Sequence, residues 1–285
     1  MTNSGVMSFS GWRRVASFAV VSMTAAFTVG APSGYASAAS VSLDVPYVPT
    51  PPEVVDRMLE IAKVGPQDFV IDLGSGDGRI AIAAVKNHGA KGAMGVDLNP
   101  ERIAEAKANA KQAGVTDKVE FCEQNLFDTD FSRATVLTMY LLPSVNMSLR
   151  PKILQLKPGT RVVSHAFDME DWQSDHYERV NGRSVHLWIV PAQVGGRWKI
   201  DGLGSAMELD LQQSFQKVTG TARDASGTTS PVQGKLIGAR LELIVGEGEK
   251  AQRLIADVNG RSMRAIVDTS KDASQGAQNW KGSRL

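Results

Sequence analysis

The chain has 285 residues, with 31 Lys and Arg against 30 Asp and Glu, so its formal net charge is +1. Hydrophobic residues make up 42% and charged residues 21%, which excludes a disordered chain, a coiled coil and a collagen-like protein. The near-neutral charge also argues against a nucleic-acid-binding protein, because such a protein needs a basic surface to neutralise phosphates.

The first 38 residues have the pattern of a secretory signal peptide. Arg13 and Arg14 are the only charges in this segment, and the uncharged, apolar run 15–30 follows them. The small residues Ala36-Ser37-Ala38 then form a cleavage pattern. The apolar run is shorter than the roughly 20 residues of a membrane span, so we expect no stable membrane span after cleavage. The sequence therefore predicts export to the periplasm or the medium.

Two alternatives to a cleaved signal stay open. The segment could remain uncleaved as an anchor. Met7 or Met23 could also be the true start, in which case the protein would be cytoplasmic.

The elements after this segment alternate between helix and strand. A Pro-rich stretch leads into a helix near 53–62. Five strands with three helices between them follow, which is typical of a parallel sheet with helices on both faces. The Asn181-Gly182 pair predicts an antiparallel hairpin that completes a seven-stranded, Rossmann-like sheet. We predict strands at 69–73, 92–97, 119–122, 134–139, 160–165, 177–180 and 185–191, and helices at 79–87, 100–113 and 146–156.

The C-terminal part has a different character. Polar and apolar residues alternate at 206–211, 215–222, 235–245, 254–258 and 262–267, and the turns between them are rich in Gly, Ser, Asp and Thr. This pattern predicts a small antiparallel β module, partly barrel-like. The predicted organisation is thus a signal peptide at 1–38, an α/β domain at 39–196 and a β-rich module at 197–285.

The most informative segment is a glycine turn between the first strand and the next helix. Gly74, Gly76 and Gly78 lie where backbone can approach a ligand with no Cβ in the way. The spacing is G-x-G-x-G, and Arg79 stands where a dinucleotide fingerprint has glycine. A nicotinamide-dependent oxidoreductase is therefore disfavoured.

Two carboxylates define the ligand further. Asp72 directly precedes the glycine turn, where it would repel a pyrophosphate but attract an ammonium group. Asp97 ends the second strand, where a carboxylate can accept hydrogen bonds from both ribose hydroxyls. Together they indicate a ligand with a ribose, a cationic tail and no phosphate, which S-adenosylmethionine fits. Asp72 and Asp77 could instead only brace the turn.

At these residues the sequence resembles the class I, seven-strand S-adenosylmethionine-dependent methyltransferases. D-L-G-S-G-D-G-R at 72–79 matches their first motif and G-V-D-L-N at 95–99 their second. The resemblance implies that Asp97 binds the ribose, that Leu98 packs beside the adenine and that Asn125 lies near the adenine amino group, where the family often has Asp. It implies that the methionine side is lined by Asp72, Gly74, Ser75, Gly76 and Gly78.

The fourth strand leads into the region that binds the methyl acceptor in this family. Residues 138–143 read T-M-Y-L-L-P and lack the N-P-P-Y of enzymes that methylate nucleobase or amide nitrogens. With V-P-Y-V-P-T-P at 45–51, this resembles the ATP-synthase-subunit-type and non-SET protein-lysine methyltransferases. The resemblance implies Tyr47 and Tyr140 as catalytic residues, Thr50 as a cofactor contact, and a protein lysine or small amine as acceptor. Tyr47 and Tyr140 could instead be half-buried packing residues. The missing N-P-P-Y and the near-neutral charge argue against a nucleic acid partner.

The sequence allows more than one role for two further residues. His165 could act as a base or be structural, and Trp172 could be a lid or a packing residue. The four histidines have no metal-ligand spacing, so no metal is expected. The alternative to an enzyme is an exported, non-catalytic protein that binds a nucleoside-like ligand and interacts through its β module.

Overall fold

Five parallel strands and one antiparallel hairpin form a seven-stranded sheet in the computed structural model, which describes residues 47–266 and 279–285. The predicted signal peptide at 1–38 lies outside the described residues. The strands of the sheet are β1 (Phe69–Leu73), β2 (Gly92–Asp97), β3 (Val119–Glu123), β4 (Val136–Met139), β5 (Arg161–His165), β6 (His176–Val180) and β7 (Arg183–Ile189).

The strand order is β3-β2-β1-β4-β5-β7-β6. The chain moves outward from β1 to β3 and then returns to the other side of β1 with β4, so the order reverses beside β1. In open α/β sheets, ligands bind in the crevice outside the carboxyl ends of the strands at such a reversal. The β6–β7 hairpin turns through Asn181 and Gly182, both at positive φ, as the Asn-Gly pair predicts.

Helices cover both faces of the sheet. They are α1 (Pro52–Ile61), α2 (Arg79–Lys86), α3 (Pro100–Ala113) and α4 (Pro143–Ile153). One core cluster packs α1, α2 and α3 against the sheet, and a second packs α4 and Trp172 against the opposite face. Helix α4 begins three residues before the predicted start at Asn146, because Pro143 occupies its first turn, where a missing N–H costs nothing.

Eight antiparallel strands close into a barrel after the sheet. They follow the order β10-β11-β12-β13-β14-β15-β8-β9. Their bounds are β8 (Gly196–Asp201), β9 (Met207–Ser214), β10 (Lys217–Asp224), β11 (Thr229–Ile237), β12 (Arg240–Val245), β13 (Gln252–Asn259), β14 (Ser262–Ala265) and β15 (Lys281–Arg284), with a 3-10 turn at Gly248–Lys250.

The sequence-based strand assignment in this module needs three corrections. The predicted strand at 235–245 is two strands, because Gly238 turns the chain at φ 60°. Strands β8 and β15 are additional to the predicted ones. Phe215, the predicted start of a strand, lies instead in the two-residue turn between β9 and β10.

The barrel interior is filled with apolar side chains. Trp198, Leu241 and Leu243 are fully buried there, and the small residues Ala222 and Ala256 complete the packing. This is a packed core, as expected for a barrel of eight strands. No helix within 47–266 and 279–285 has the length and apolar character needed to cross a membrane.

Candidate active site

A cavity of about 290 Å³ lies at the carboxyl ends of β1, β2, β3 and β4. This is the edge of the sheet where the strand order reverses. Its walls come from a segment at 47–50, the glycine turn, the ends of β2, β3 and β4, and Phe167 after β5. The lining residues that the sequence singles out for the cofactor or acceptor are Tyr47, Thr50, Asp72, Gly74, Ser75, Gly76, Asp97, Leu98, Asn125 and Tyr140.

The glycine turn is fixed to the neighbouring strand. The backbone N–H groups of Gly74 and Ser75 donate to the carbonyl oxygen of Val96 at 2.8 and 2.9 Å. A Cβ on Gly74 would lie 2.7 Å from the Leu141 side chain, and one on Gly76 would lie 2.5 Å from the Tyr47 ring. Both glycines have positive φ, so the turn needs glycine for its conformation and for its close contacts.

Gly78 does not line the cavity. It precedes α2 at φ 81°, and a Cβ there would collide with the Phe121 ring. The structure therefore places Gly78 where the helix packs against β3, and not among the residues facing the predicted methionine side.

Asp72 is a buried carboxylate at the base of the cavity. Its side chain accepts a 2.7 Å hydrogen bond from the Thr138 hydroxyl on β4. Burial raises the pKa of Asp72 to about 7, and the nearby charges of Asp97 and Asp77 act in the same direction. A cationic group in the cavity would reverse this effect, because an opposite charge favours the ionised carboxylate.

Asp97 joins the glycine turn to the start of α3. One carboxylate oxygen accepts from the Gly76 N–H and the other from the Asn99 N–H, both at 2.9 Å. Each oxygen keeps a second lone pair, so the carboxylate can still accept from two hydroxyls. Asn99 caps α3 by accepting from the Glu101 N–H.

The segment at 47–50 is held across the cavity by two arginines. Arg79 donates to the Thr50 carbonyl oxygen at 2.9 Å and forms an ion pair with Asp77. Arg102 lies over the Tyr47 ring, 4.7 Å from its centre. Burial alone would raise the pKa of Asp77, but the Arg79 guanidinium holds it below its ordinary value.

A buried histidine packs against Tyr140 and does not itself line the cavity. His165 is fully buried at the end of β5, and its Nδ1 lies 3.1 Å from the Thr50 hydroxyl. The Tyr140 ring packs on the imidazole with ring centres 3.9 Å apart. Burial lowers the pKa of His165 to about 4, so the ring is neutral at physiological pH. This supports a structural role for His165, between the 47–50 segment and Tyr140.

Twelve of the lining residues are not among those that the sequence indicates for the site, and four of these twelve have side chains that can bind or enclose a ligand. These are Arg79, Arg102, Gln124 and Phe167. The sequence could have indicated Arg79, since a cation directly after the glycine turn can pair with Asp77. Phe167 follows the end of β5 by two residues, and strand ends carry ligand contacts in this type of sheet. Arg102 lies on a helix, where the sequence alone does not show that it reaches Tyr47.

The donor set fits S-adenosylmethionine. The Ser75 hydroxyl is buried at the cavity wall without a hydrogen-bond partner among the described residues, which is costly unless a ligand provides one. Asp72 offers a buried carboxylate for a cationic tail and Asp97 offers free lone pairs for a ribose. Within the part of the chain that the structure describes, no group of three His, Cys, Asp or Glu side chains could hold a metal ion.

Comparisons with known proteins agree with this site. The family model described as ANTKMT methyltransferase domain matches residues 72–176. A protein-lysine N-methyltransferase of Saccharolobus islandicus (strain REY15A) is 50% identical over 151 residues, which is 51% of this chain and 94% of the relative. An adenine nucleotide translocase lysine N-methyltransferase of Mus musculus is 36% identical over 132 residues, covering 46% of this chain and 57% of the relative.

A solved structure matches the same part of the fold. The crystal structure of an RNA methyltransferase from Salinibacter ruber in complex with S-adenosyl-L-homocysteine is 52% identical, with a TM-score of 0.50. The match covers 52% of this chain and 96% of that chain. The shared part is therefore about half of the chain described here, and the ligand bound in that structure is what remains of S-adenosylmethionine after methyl transfer.

Proposed function

Because the chain belongs to the seven-strand S-adenosylmethionine-dependent methyltransferase family, with S-adenosylmethionine as its cofactor, we propose that it methylates the side-chain amine of a lysine in a protein. The observation that carries this proposal is the uncharged acceptor side of the cavity, formed by Tyr140, Leu141, Leu142 and Phe167. A lysine nucleophile must be neutral, and an apolar environment lowers the pKa of an amine. The lysine acceptors named for the relatives from S. islandicus and Mus musculus agree with it.

The roles we propose for the residues follow from their positions. When bound, S-adenosylmethionine supplies a methyl group activated by the positive sulfur. Asp72 and Ser75 bind its amino-acid end, and Asp97 binds the ribose hydroxyls. Leu98 and Asn125 lie beside Asp97 in the cavity wall and contact the adenine. Gly74 and Gly76 let the backbone approach the ligand.

Tyr47 and Tyr140 are the groups we assign to the acceptor amine. Both rings line the cavity, and Tyr140 is held by His165 beneath it. Their function is to align the amine with the methyl group and to exclude water, since alignment accounts for much of the rate gain in a bimolecular transfer. Thr50 holds the segment that carries Tyr47 through its contact with His165.

A label-transfer experiment tests the acceptor class. Cell lysate is incubated with S-adenosylmethionine labelled in the methyl group and with wild type or Asp97→Ala, and portions are then digested with proteinase K or ribonuclease. We expect label that depends on the wild-type enzyme, is released by proteinase and resists ribonuclease, and maps to methyllysine by mass spectrometry.

Two other outcomes would overturn the proposal. Ribonuclease-sensitive label would make RNA the acceptor, as the name of the S. ruber protein states for that protein. A complete lack of transfer, with S-adenosylhomocysteine still bound, would instead favour the non-catalytic binding protein.

We also propose that the N-terminal segment directs export, with cleavage after Ala38. The support is the sequence pattern of Arg13 and Arg14 before an apolar run and small residues. Expression in a bacterial host followed by intact-mass analysis tests this. A mature protein beginning at Ala39 in the exported fraction is expected, whereas a full-length cytoplasmic product would contradict it.

A further inference from the structure

The turn between β9 and β10 has a conformation that its sequence does not favour. Phe215 and Gln216 form this two-residue turn, and Phe215 has φ 53°. Bulky side chains rarely adopt this left-handed conformation, and such outliers persist only where surrounding contacts stabilise them. We therefore expect contacts of the Phe215 side chain to stabilise this conformation.

Those contacts lie on the sheet domain. The Phe215 ring stacks on Trp172, with ring centres 5.8 Å apart and planes 13° from parallel. The guanidinium of Arg150 also lies over this ring, 5.3 Å from its centre. The Gln216 side chain donates a 2.7 Å hydrogen bond to the carbonyl oxygen of Gln173. The turn of the barrel thus contacts the segment that contains Trp172 and Gln173 through both of its residues.

That segment belongs to the loop that supplies Phe167 to the acceptor-side wall of the cavity. Residues 166–173, which we call the acceptor loop, follow β5 and include the cavity-lining Phe167. Met169 and Trp172 are buried in the core under α4, and the Trp188 side chain donates to the Trp172 carbonyl oxygen at 2.7 Å.

Arg150 connects the acceptor loop to the barrel turn. Its guanidinium donates to the Met169 carbonyl oxygen at 3.0 Å and pairs with Asp171, while the same group lies over Phe215. One turn earlier on α4, the Asn146 side-chain amide faces the carbonyl oxygens of Phe167 and Asp168 at 3.4 and 3.3 Å. The loop is therefore clamped between α4 on one side and the barrel turn on the other.

We infer that the β9–β10 turn of the barrel positions the acceptor loop, with Phe215 and Gln216 as positioning residues for binding of the methyl acceptor. This inference rests on the proposed function only for the identity of the acceptor. It gives the barrel a role in acceptor binding and none in cofactor binding, because the contacts of the turn reach the Phe167 side of the cavity and not the glycine turn.

The comparison with the S. islandicus relative agrees with an added role. A match of 151 residues takes up 94% of that protein, so the relative has no room for both a sheet domain and a barrel. The methyltransferase domain is therefore complete without a barrel in that protein, and the barrel of this chain adds contacts that the relative lacks.

The test uses four variants of the full chain, each with a single substitution. Phe215→Ala removes the stacked ring, Phe215→Tyr retains it, and Gln216→Ala removes only the hydrogen bond to Gln173. Ile244→Ala is the matched control, because Ile244 is a large exposed side chain on β12 and not on the turn. The kinetic measurements are KM and kcat for the protein that the wild type labels in the transfer experiment. The Kd of S-adenosylhomocysteine and the hydrogen exchange of the amides at 166–173 are measured as well.

We expect Phe215→Ala to raise the acceptor KM about 3–10-fold, which corresponds to the loss of one aromatic pair. Amide exchange in the acceptor loop should accelerate, and the Kd of S-adenosylhomocysteine should stay within about twofold. Gln216→Ala should show a smaller change in the same direction, and Phe215→Tyr and Ile244→Ala should match the wild type.

Two results would overturn the inference. Unchanged loop exchange in Phe215→Ala would show that the sheet domain holds the loop unaided. An equal weakening of cofactor binding would show a general loss of structure. If the wild type transfers no methyl group, the proposed function fails, while the exchange measurement still decides on the role of the turn.

Discussion

The sheet domain and the barrel bury different kinds of side chain. Within the described residues, all buried polar or charged side chains belong to the sheet domain, and the barrel interior is apolar. The buried polar set of the sheet domain is Thr50, Asp68, Asp72, Ser75, Asp77, Thr129, Thr138, Asn146, Thr160, Ser164 and His165. Four of these, Thr50, Asp72, Ser75 and Asp77, line the cavity.

Two buried tryptophans show the same contrast. Trp198 in the barrel donates its indole N–H to the Val194 carbonyl oxygen at 2.7 Å. The indole N–H of Trp172, in the acceptor loop, has no partner within 47–266 and 279–285. An unpaired buried polar group lowers stability, and native proteins keep few of them. Buried polar groups therefore lower the stability of the sheet domain around its cavity. The barrel has an apolar core and can stabilise the sheet domain.

The largest expected effect is the loss of barrel stability when a core tryptophan is removed, and this loss should leave the cavity in the sheet domain unaffected. Trp198→Ala should lower the stability of the barrel by about 3–5 kcal/mol, because it leaves a large cavity in a packed core. Urea unfolding measures the loss, and titration with S-adenosylhomocysteine in the absence of urea measures the site. Affinity should stay unchanged. A matching loss of affinity would show that the two regions are not energetically distinct.

The titration of Asp72 sharpens the contrast, since the barrel buries no such group within the described residues. Its pKa of about 7 in the folded protein exceeds the unfolded value near 3.9. The folded state therefore binds an extra proton between about pH 4 and 7, and stability falls as the pH rises through this range. The free energy of unfolding of Asp72→Asn should therefore exceed that of the wild type as the pH rises to 8, by up to about 4 kcal/mol.

The control for Asp72 is Asp68→Asn. Burial would raise the pKa of Asp68, but the Arg161 side chain and Thr135 hold it below its ordinary value, so it does not titrate between pH 5 and 8. Its stability difference from the wild type should be flat over that range. Unfolding free energies at pH 5 to 8 check both variants, and a flat difference for Asp72→Asn would refute the shifted pKa.

Loss of the proposed ribose contact at Asp97 comes next in size. Asp97→Ala should weaken binding of S-adenosylhomocysteine by about 1–3 kcal/mol through the lost hydrogen bonds. Isothermal calorimetry measures this, with Asp210→Ala as a control, because Asp210 is an exposed carboxylate on the barrel. An unchanged affinity in Asp97→Ala would mean that the ribose lies elsewhere in the cavity.

The smallest predicted effect concerns the link between Thr50 and His165. Thr50→Val leaves a buried imidazole nitrogen without its partner, which should lower stability by about 1–2 kcal/mol. Thr50→Ser retains the hydroxyl and should be close to the wild type. Thermal unfolding compares the two variants. A destabilised Thr50→Ser, with Thr50→Val close to the wild type, would show that the methyl group of Thr50 matters and not its hydroxyl.

The local sequence determined the half of the cavity that we propose binds the cofactor. Asp72, the glycine turn and Asp97 lie at the ends of adjacent parallel strands, and that geometry follows from the strand–helix alternation alone. The seven-stranded sheet was predictable for the same reason, because parallel strands joined by helices have few possible arrangements. The split of 235–245 into two strands was not, because a single glycine decides it.

The remaining contacts of the site depend on how distant segments pack together. The contact between Thr50 and His165 joins residues 115 positions apart, and the approach of Arg102 to Tyr47 depends on how α3 packs. Phe215 has the pattern of a strand residue, apolar and alternating, yet docking against Trp172 holds it in a turn. Sequence periodicity reports which face of an element is buried, whereas contacts between distant segments depend on packing that no local pattern records.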